Sequence, residues 1–135
     1  MSAPDFPITI FHNPACGTSR NVVAMVETAG YRPEVVEYLK AGWTVDQLRT
    51  LFAEAGLTPR EAMRERGSPA TELGLLDPGT PDTTILAAMV AHPVLVNRPI
   101  VRTPKGAALC RPSEKVFDLL EQAPDRFVKE DGQVV

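Results

Sequence analysis

The chain has 135 residues, 44% of them hydrophobic and 23% charged, an ordinary balance for one domain that buries roughly two-thirds of its unfolded surface. A net charge of −3 argues against general binding to nucleic acid or to an anionic membrane. Any anionic ligand must then be drawn by a local positive pocket rather than by the whole molecule. No stretch approaches the roughly 18 apolar residues of a membrane span. Residues 1–7 lack the basic and apolar regions of a signal peptide. Two cysteines, Cys16 and Cys110, are too few for a disulfide scaffold, so a reducing cytoplasm is the expected compartment.

In chain order, Pro7 to Phe11 opens with an apolar β-branched run that reads as a buried strand. Asn13-Pro14 is a turn signal, and a helix is expected from about 18 to 29, ended by Gly30 as a C′ glycine. Pro33 to Tyr38 reads as a second strand, completing a βαβ unit whose strands should be parallel. The middle, about 41–92, reads as a helical insertion. Thr44 and Gln47 form a capping box for a helix to Ala55, closed by Gly56. Thr58-Pro59-Arg60-Glu61 predicts a second helix, to Gly67. A helical turn is expected over Ala70–Leu73, and Thr80-Pro81 starts a last inserted helix that ends at His92-Pro93. Strands are then expected at Val94–Val96, from Ile100, and over Ala107–Cys110, with a helix from Ser113 to Leu120. The tail, about 123–135, has few apolar residues and is expected to pack loosely. The order β-α-β, helical block, β-β-α is that of an α/β thioredoxin-like fold with an inserted helical subdomain, in one domain of residues 1–135.

This order puts Cys16 on the loop between the first strand and the first helix. Free N–H groups and the helix dipole there favour thiolate over thiol and can hold an oxyanion, with Gly17 and Thr18 in the same turn. A buried cysteine that merely packs is the competing reading. His12 favours the thiolate if its ring is cationic and close; otherwise it is a loop histidine bonded to backbone. In Cys16-Gly17-Thr18-Ser19 a hydroxyl replaces the second sulfur of a redox Cys-x-x-Cys, so no resolving thiol sits beside Cys16. Ser19 and Thr18 can donate to a thiolate or an oxyanion, or cap the helix. Pro99 is a candidate cis-proline, and in a thioredoxin-like fold that position lies against the active cysteine, which would bring Arg98 beside Cys16. Cys110 reads either as a packed strand cysteine or as a resolving thiol. Two histidines and two scattered cysteines give no convincing metal-ligand cluster, so no metal is expected.

Three separated segments carry a resemblance: His12 to Asn21, His92-Pro93 with Asn97-Arg98-Pro99-Ile100, and Cys110-Arg111-Pro112-Ser113-Glu114. Together they resemble the glutathione/glutaredoxin-dependent arsenate reductases of the ArsC type, over residues 8 to 131. The resemblance implies a nucleophilic Cys16, an arginine triad of Arg64, Arg98 and Arg111, a His12 that lowers the Cys16 pKa, and a Ser19 that supports the thiolate. Arg60 and Arg66 flank Arg64 and offer alternative registers. Arsenate would be the substrate, glutathione the reducing co-substrate and glutaredoxin the protein partner, with no bound cofactor.

Guanidinium groups suit a tetrahedral oxyanion because they grip its oxygens bidentately. Phosphate has nearly the same shape, so selectivity should come from chemistry: As(V) accepts two electrons from thiols and phosphorus does not. A low-molecular-weight phosphatase loop is excluded, because it needs an arginine six positions after the cysteine and Val22 stands there. A thiol-switch regulator of transcription would keep Cys-x-x-Cys, against Ser19. A reductase of glutathione adducts remains as a rival to arsenate.

Overall fold

A computed structural model describes residues 6–122 and 126–135. The chain divides into two compact units. One holds the described residues up to Glu37 together with those from Arg98 onward, and the other is Tyr38–Asn97.

The first unit is a four-stranded sheet with a helix. Its elements are β1 (Thr9–His12), α1 (Gly17–Thr28), β2 (Glu34–Glu37), β3 (Ile100–Thr103) and β4 (Gly106–Leu109), followed by a 3-10 helix over Ser113–Leu119. The strand order is β2-β1-β3-β4. β1 runs parallel to β2 and antiparallel to β3, and β3 pairs antiparallel with β4. A parallel βαβ unit followed by an antiparallel hairpin is the thioredoxin-like arrangement expected from the order of elements. Ile10 lies between Val35 and Val101 at the centre of the sheet and is fully buried. Alternation along β1 turns Ile8 and Ile10 into one core with Val22, Met25 and Val26 of α1 and Val116 and Leu119 near the C-terminus.

The helix α1 forms because Ser19, Val22, Met25 and Val26 recur at helical spacing and make its buried stripe. It ends in a Schellman motif: the Gly30 N–H donates to Glu27 O and the Tyr31 N–H to Val26 O. Gly30 has φ +99°, a conformation that a Cβ would strain.

The expected C-terminal α-helix is instead a 3-10 helix, Ser113–Leu119. Its buried residues, Ser113, Val116 and Leu119, are three apart, which matches the tighter period. The tail also departs from the expectation of loose packing, with residues 123–125 outside the described residues. Phe127 and Val135 exchange backbone hydrogen bonds and pack against the core. Lys129 pairs with Glu114 at 2.6 Å, and the Glu130 N–H donates to Asn21 Oδ1 at 3.1 Å. Polar anchors to α1 and to the 3-10 helix thus add to the packing of Phe127 and Val135.

The second unit contains α2 (Tyr38–Ala41), α3 (Val45–Ala55) and α4 (Asp82–Ala91), with a 3-10 turn at Pro93–Leu95. It extends past the expected 41–92 at both ends, because Tyr38 Oη donates to Val96 O and the Asn97 N–H donates to Ala62 O. The Thr44–Gln47 capping box is present, and α3 ends at Gly56 as expected. Two expectations are corrected. The capping box at Thr58 and Glu61 forms, but a hydrogen-bonded turn follows it instead of a helix. Met63 bridges to Val96 and the Arg64 N–H donates to Leu95 O, so the backbone leaves the helical path. The strand expected at Val94–Val96 is mostly a 3-10 turn. There the Leu95 and Val96 N–H groups are used by His92 O and Pro93 O, and only the single bridge to Met63 remains. Among the described residues no helix is long and apolar enough to cross a membrane.

Candidate active site

The loop between β1 and α1 is built on its own polar groups. Asn13 is buried; its Oδ1 accepts the Ala15 N–H at 2.9 Å and its carbonyl accepts the Cys16 N–H at 3.0 Å. This Asx turn folds the chain sharply ahead of the helix and sets Cys16 as the N-cap of α1. No side chain caps the helix, so Thr18 and Ser19 do not serve in that way.

Cys16 is buried at 8% exposure. Burial is the largest single influence on its thiol and opposes ionisation, yet the net pKa lies below the ordinary thiol value. The opposing influences are the Ser19 backbone N–H, the charge of Arg98, a hydrogen bond from Arg111 and the Thr18 N–H. The Arg111 Nη1 donates to Cys16 Sγ at 3.8 Å and to Arg98 O at 3.1 Å. The Arg98–Pro99 bond is cis, as the sequence suggests, and Arg111–Pro112 is cis as well. Two arginines therefore flank the sulfur at the open end of a helix, an arrangement fit to ionise a thiol and to receive an oxyanion.

His12 and Ser19 are hydrogen-bonded to each other. Ser19 lies on the buried stripe of α1 and is fully enclosed, so its hydroxyl must find partners within the protein. It accepts the Asn13 N–H at 3.1 Å and hydrogen-bonds His12 Nδ1 at 2.6 Å. Toward the sulfur Ser19 offers its backbone N–H rather than its hydroxyl. Burial lowers the His12 pKa; Glu37 opposes this and Arg20 assists it. Burial thus disfavours the charged ring, and its Nδ1 hydrogen bond runs to Ser19. Through Ser19, His12 helps to hold the loop in place.

Arg64 belongs to the second unit. Of the three clustered arginines, Arg60 is held in a structural clasp: it donates to Leu75 O at 3.1 Å, Asp77 O at 3.0 Å and Thr80 O at 2.9 Å. This leaves Arg64, half-buried, and Arg66, exposed, and so narrows the register. Cys110 is fully buried and forms no disulfide with Cys16, and burial pushes its pKa up to about 12. Among the described residues no group of three or more His, Cys, Asp or Glu side chains is placed to hold a metal ion.

Two participants are not among the expected site residues. Asn13 organises the loop, for which the Asn-Pro dipeptide is a local signal. Arg20 donates to Pro14 O at 2.8 Å and pairs with Glu130 through contacts of 2.9 and 3.0 Å. Nothing local in the sequence announces that pair.

The ArsC family profile matches residues 11–119, which take in the whole of this site. The chain belongs to the ArsC family. It is 60% identical over 129 residues to arsenate reductase ArsI2 of Synechocystis sp., spanning 95% of this chain and 92% of that protein. It is 46% identical over 129 residues to the arsenate reductase of Escherichia coli K12, again spanning 95% of this chain and 92% of the other. The solved arsenate reductase of Vibrio cholerae superposes with a TM-score of 0.81 at 37% identity, covering 85% of this chain and 98% of that one. Cys16, Arg98 and Arg111 of this ArsC-family chain lie in one unit, built around the loop that Asn13, Ser19 and His12 secure.

Proposed function

We propose that this protein is an arsenate reductase that uses Cys16 as its nucleophile, with glutathione and glutaredoxin as electron donors. The observation that carries the reading is the Cys16 thiol at the N-cap of α1, its pKa lowered against burial, with Arg111 on the sulfur and Arg98 adjacent. The names of relatives at 60% and 46% identity support arsenate as the substrate.

Arg98 and Arg111 hold the arsenate oxygens, helped by the N–H groups of the turn at Gly17 and Thr18, and the resemblance implies Arg64 as the third arginine. The Cys16 thiolate attacks arsenic and expels one oxygen as water or hydroxide, giving a Cys16–S–As(V) bond. The arginines offset the charge that develops on the remaining oxygens. A glutathione thiolate then attacks the Cys16 sulfur. The S–As electron pair goes to arsenic, which becomes As(III), while the two sulfurs join as a Cys16–glutathione disulfide. Two thiols have supplied two electrons and arsenite leaves. Glutaredoxin takes the glutathione by thiol–disulfide exchange and frees Cys16. The buried, protonated Cys110 is poorly suited to compete as resolving thiol, which supports an external donor.

The test is arsenate-dependent NADPH oxidation coupled through glutathione reductase, glutathione and glutaredoxin. Turnover that needs both donors and disappears in Cys16→Ser is the expected result. Folded, reduced protein without arsenate turnover would overturn the reading and favour glutathione adducts as substrate. Turnover with thioredoxin alone would overturn the donor assignment.

A further inference from the structure

We propose that Gly67 is a positioning residue for Arg64: the space its absent side chain leaves is the space in which the Arg64 guanidinium lies. A Cβ placed on Gly67 meets Arg64 Nη2 at 2.7 Å, Cζ at 3.2 Å and Nε at 3.5 Å. Gly67 also has φ +70°, which turns the backbone around the end of the arginine.

The rest of the turn holds the same side chain and its backbone. Arg64 Nε donates to Arg66 O at 2.7 Å. The Arg64 N–H donates to Leu95 O at 2.7 Å, and the Ser68 hydroxyl donates to Arg64 O. The guanidinium is thereby fixed at one N–H by the carbonyl of Arg66, and on one side by the bare Cα of Gly67 that follows it. A methyl group at position 67 moves the far end of a flexible side chain, so the fold survives while the fork shifts and its bond to Arg66 O is strained. Bidentate capture of an oxyanion tolerates such a shift poorly, because both N–H···O bonds depend on where the fork lies.

The inference rests on the proposal that Arg64 grips the arsenate, and the experiment separates the two. Gly74 supplies the control. It lies in the same unit with φ +71°, and a Cβ there would meet nothing within 4 Å, so Gly74→Ala imposes the same backbone strain without touching an arginine. Gly67→Asn complements it, because asparagine tolerates the left-handed conformation yet still brings a Cβ. The measurements are kcat and KM for arsenate in Gly67→Ala, Gly67→Asn, Gly74→Ala, Arg64→Ala and the Gly67→Ala/Arg64→Ala double variant. Arsenate protection of Cys16 against iodoacetamide reads the same affinities without turnover.

Both Gly67 variants are expected to raise KM about tenfold with little change in kcat, the signature of one weakened charge-assisted contact made in ground and transition state alike. Gly74→Ala is expected to match wild type, and Gly67→Ala to add nothing once Arg64 is alanine. Gly67 variants that behave like Gly74→Ala overturn this inference alone, as does a full additional loss in the double variant. An Arg64→Ala variant with wild-type arsenate affinity overturns the role of Arg64 and this inference with it.

Discussion

One nitrogen of Arg111 links the two halves of the anion site: it donates to the Cys16 sulfur at 3.8 Å and to the Arg98 carbonyl at 3.1 Å. Removing it takes a donor from the thiolate and a brace from the loop that carries Arg98. In Arg111→Ala the Cys16 pKa should rise, because an interaction that favours the charged form is gone while burial still opposes ionisation. The iodoacetamide rate at neutral pH should fall, and its rise with pH should move to higher pH. For arsenate, kcat/KM should drop on the order of a hundredfold.

Wild-type Cys16 has the opposite signature. With its folded pKa lowered, the alkylation rate should reach its plateau at a pH below that of an ordinary thiol and fall about tenfold per unit beneath the folded pKa. Cys110 should stay unlabelled in the native protein, since it is buried and its pKa is pushed up to about 12. Cys110→Ala should keep glutathione-dependent turnover; its loss in a folded variant would point to an internal relay.

His12 should titrate below the ordinary histidine value when followed by NMR, as burial disfavours its charged form. The unfolded chain then binds that proton at higher pH than the folded one. Acidification from neutrality should therefore draw stability from the fold through this group. Ser19→Ala removes the partner at 2.6 Å and leaves the Asn13 N–H buried without its acceptor, at a cost of about 1–3 kcal/mol.

Ile10→Ala should cost about 2–5 kcal/mol in urea unfolding, because it empties a fully buried position between Val35 and Val101. The same truncation at the exposed Val128 of the tail should have far less effect.

Local signals make the Cys16 stretch legible in the sequence: an apolar strand, an Asn-Pro turn, and a helix from about 18 to 29. The order of elements is enough to reach the thioredoxin-like arrangement. Hydroxyl direction is not readable in this way, because it depends on which face of α1 is buried against β1. Ser19 therefore turns its side chain to His12 and Asn13, and only its backbone N–H to the sulfur. Capping boxes mark where a helix starts and say little about its length. The helix expected after Thr58 is only a turn, because Met63 and Arg64 find partners in Leu95 and Val96, far along the chain. The Arg20–Glu130 pair spans 110 positions, and no local pattern encodes it. Arg60, Arg64 and Arg66 look equivalent in sequence, and the three carbonyls that Arg60 clasps distinguish it from its neighbours.

The most direct test of Cys16 as the arsenate-reducing nucleophile is intact-mass analysis after one turnover with arsenate and glutathione, with glutaredoxin withheld. A single glutathione carried on Cys16, formed only when arsenate is present and absent from Cys16→Ser, is the expected result. A Cys16–Cys110 disulfide, or protein that remains unmodified while arsenite accumulates, would contradict it.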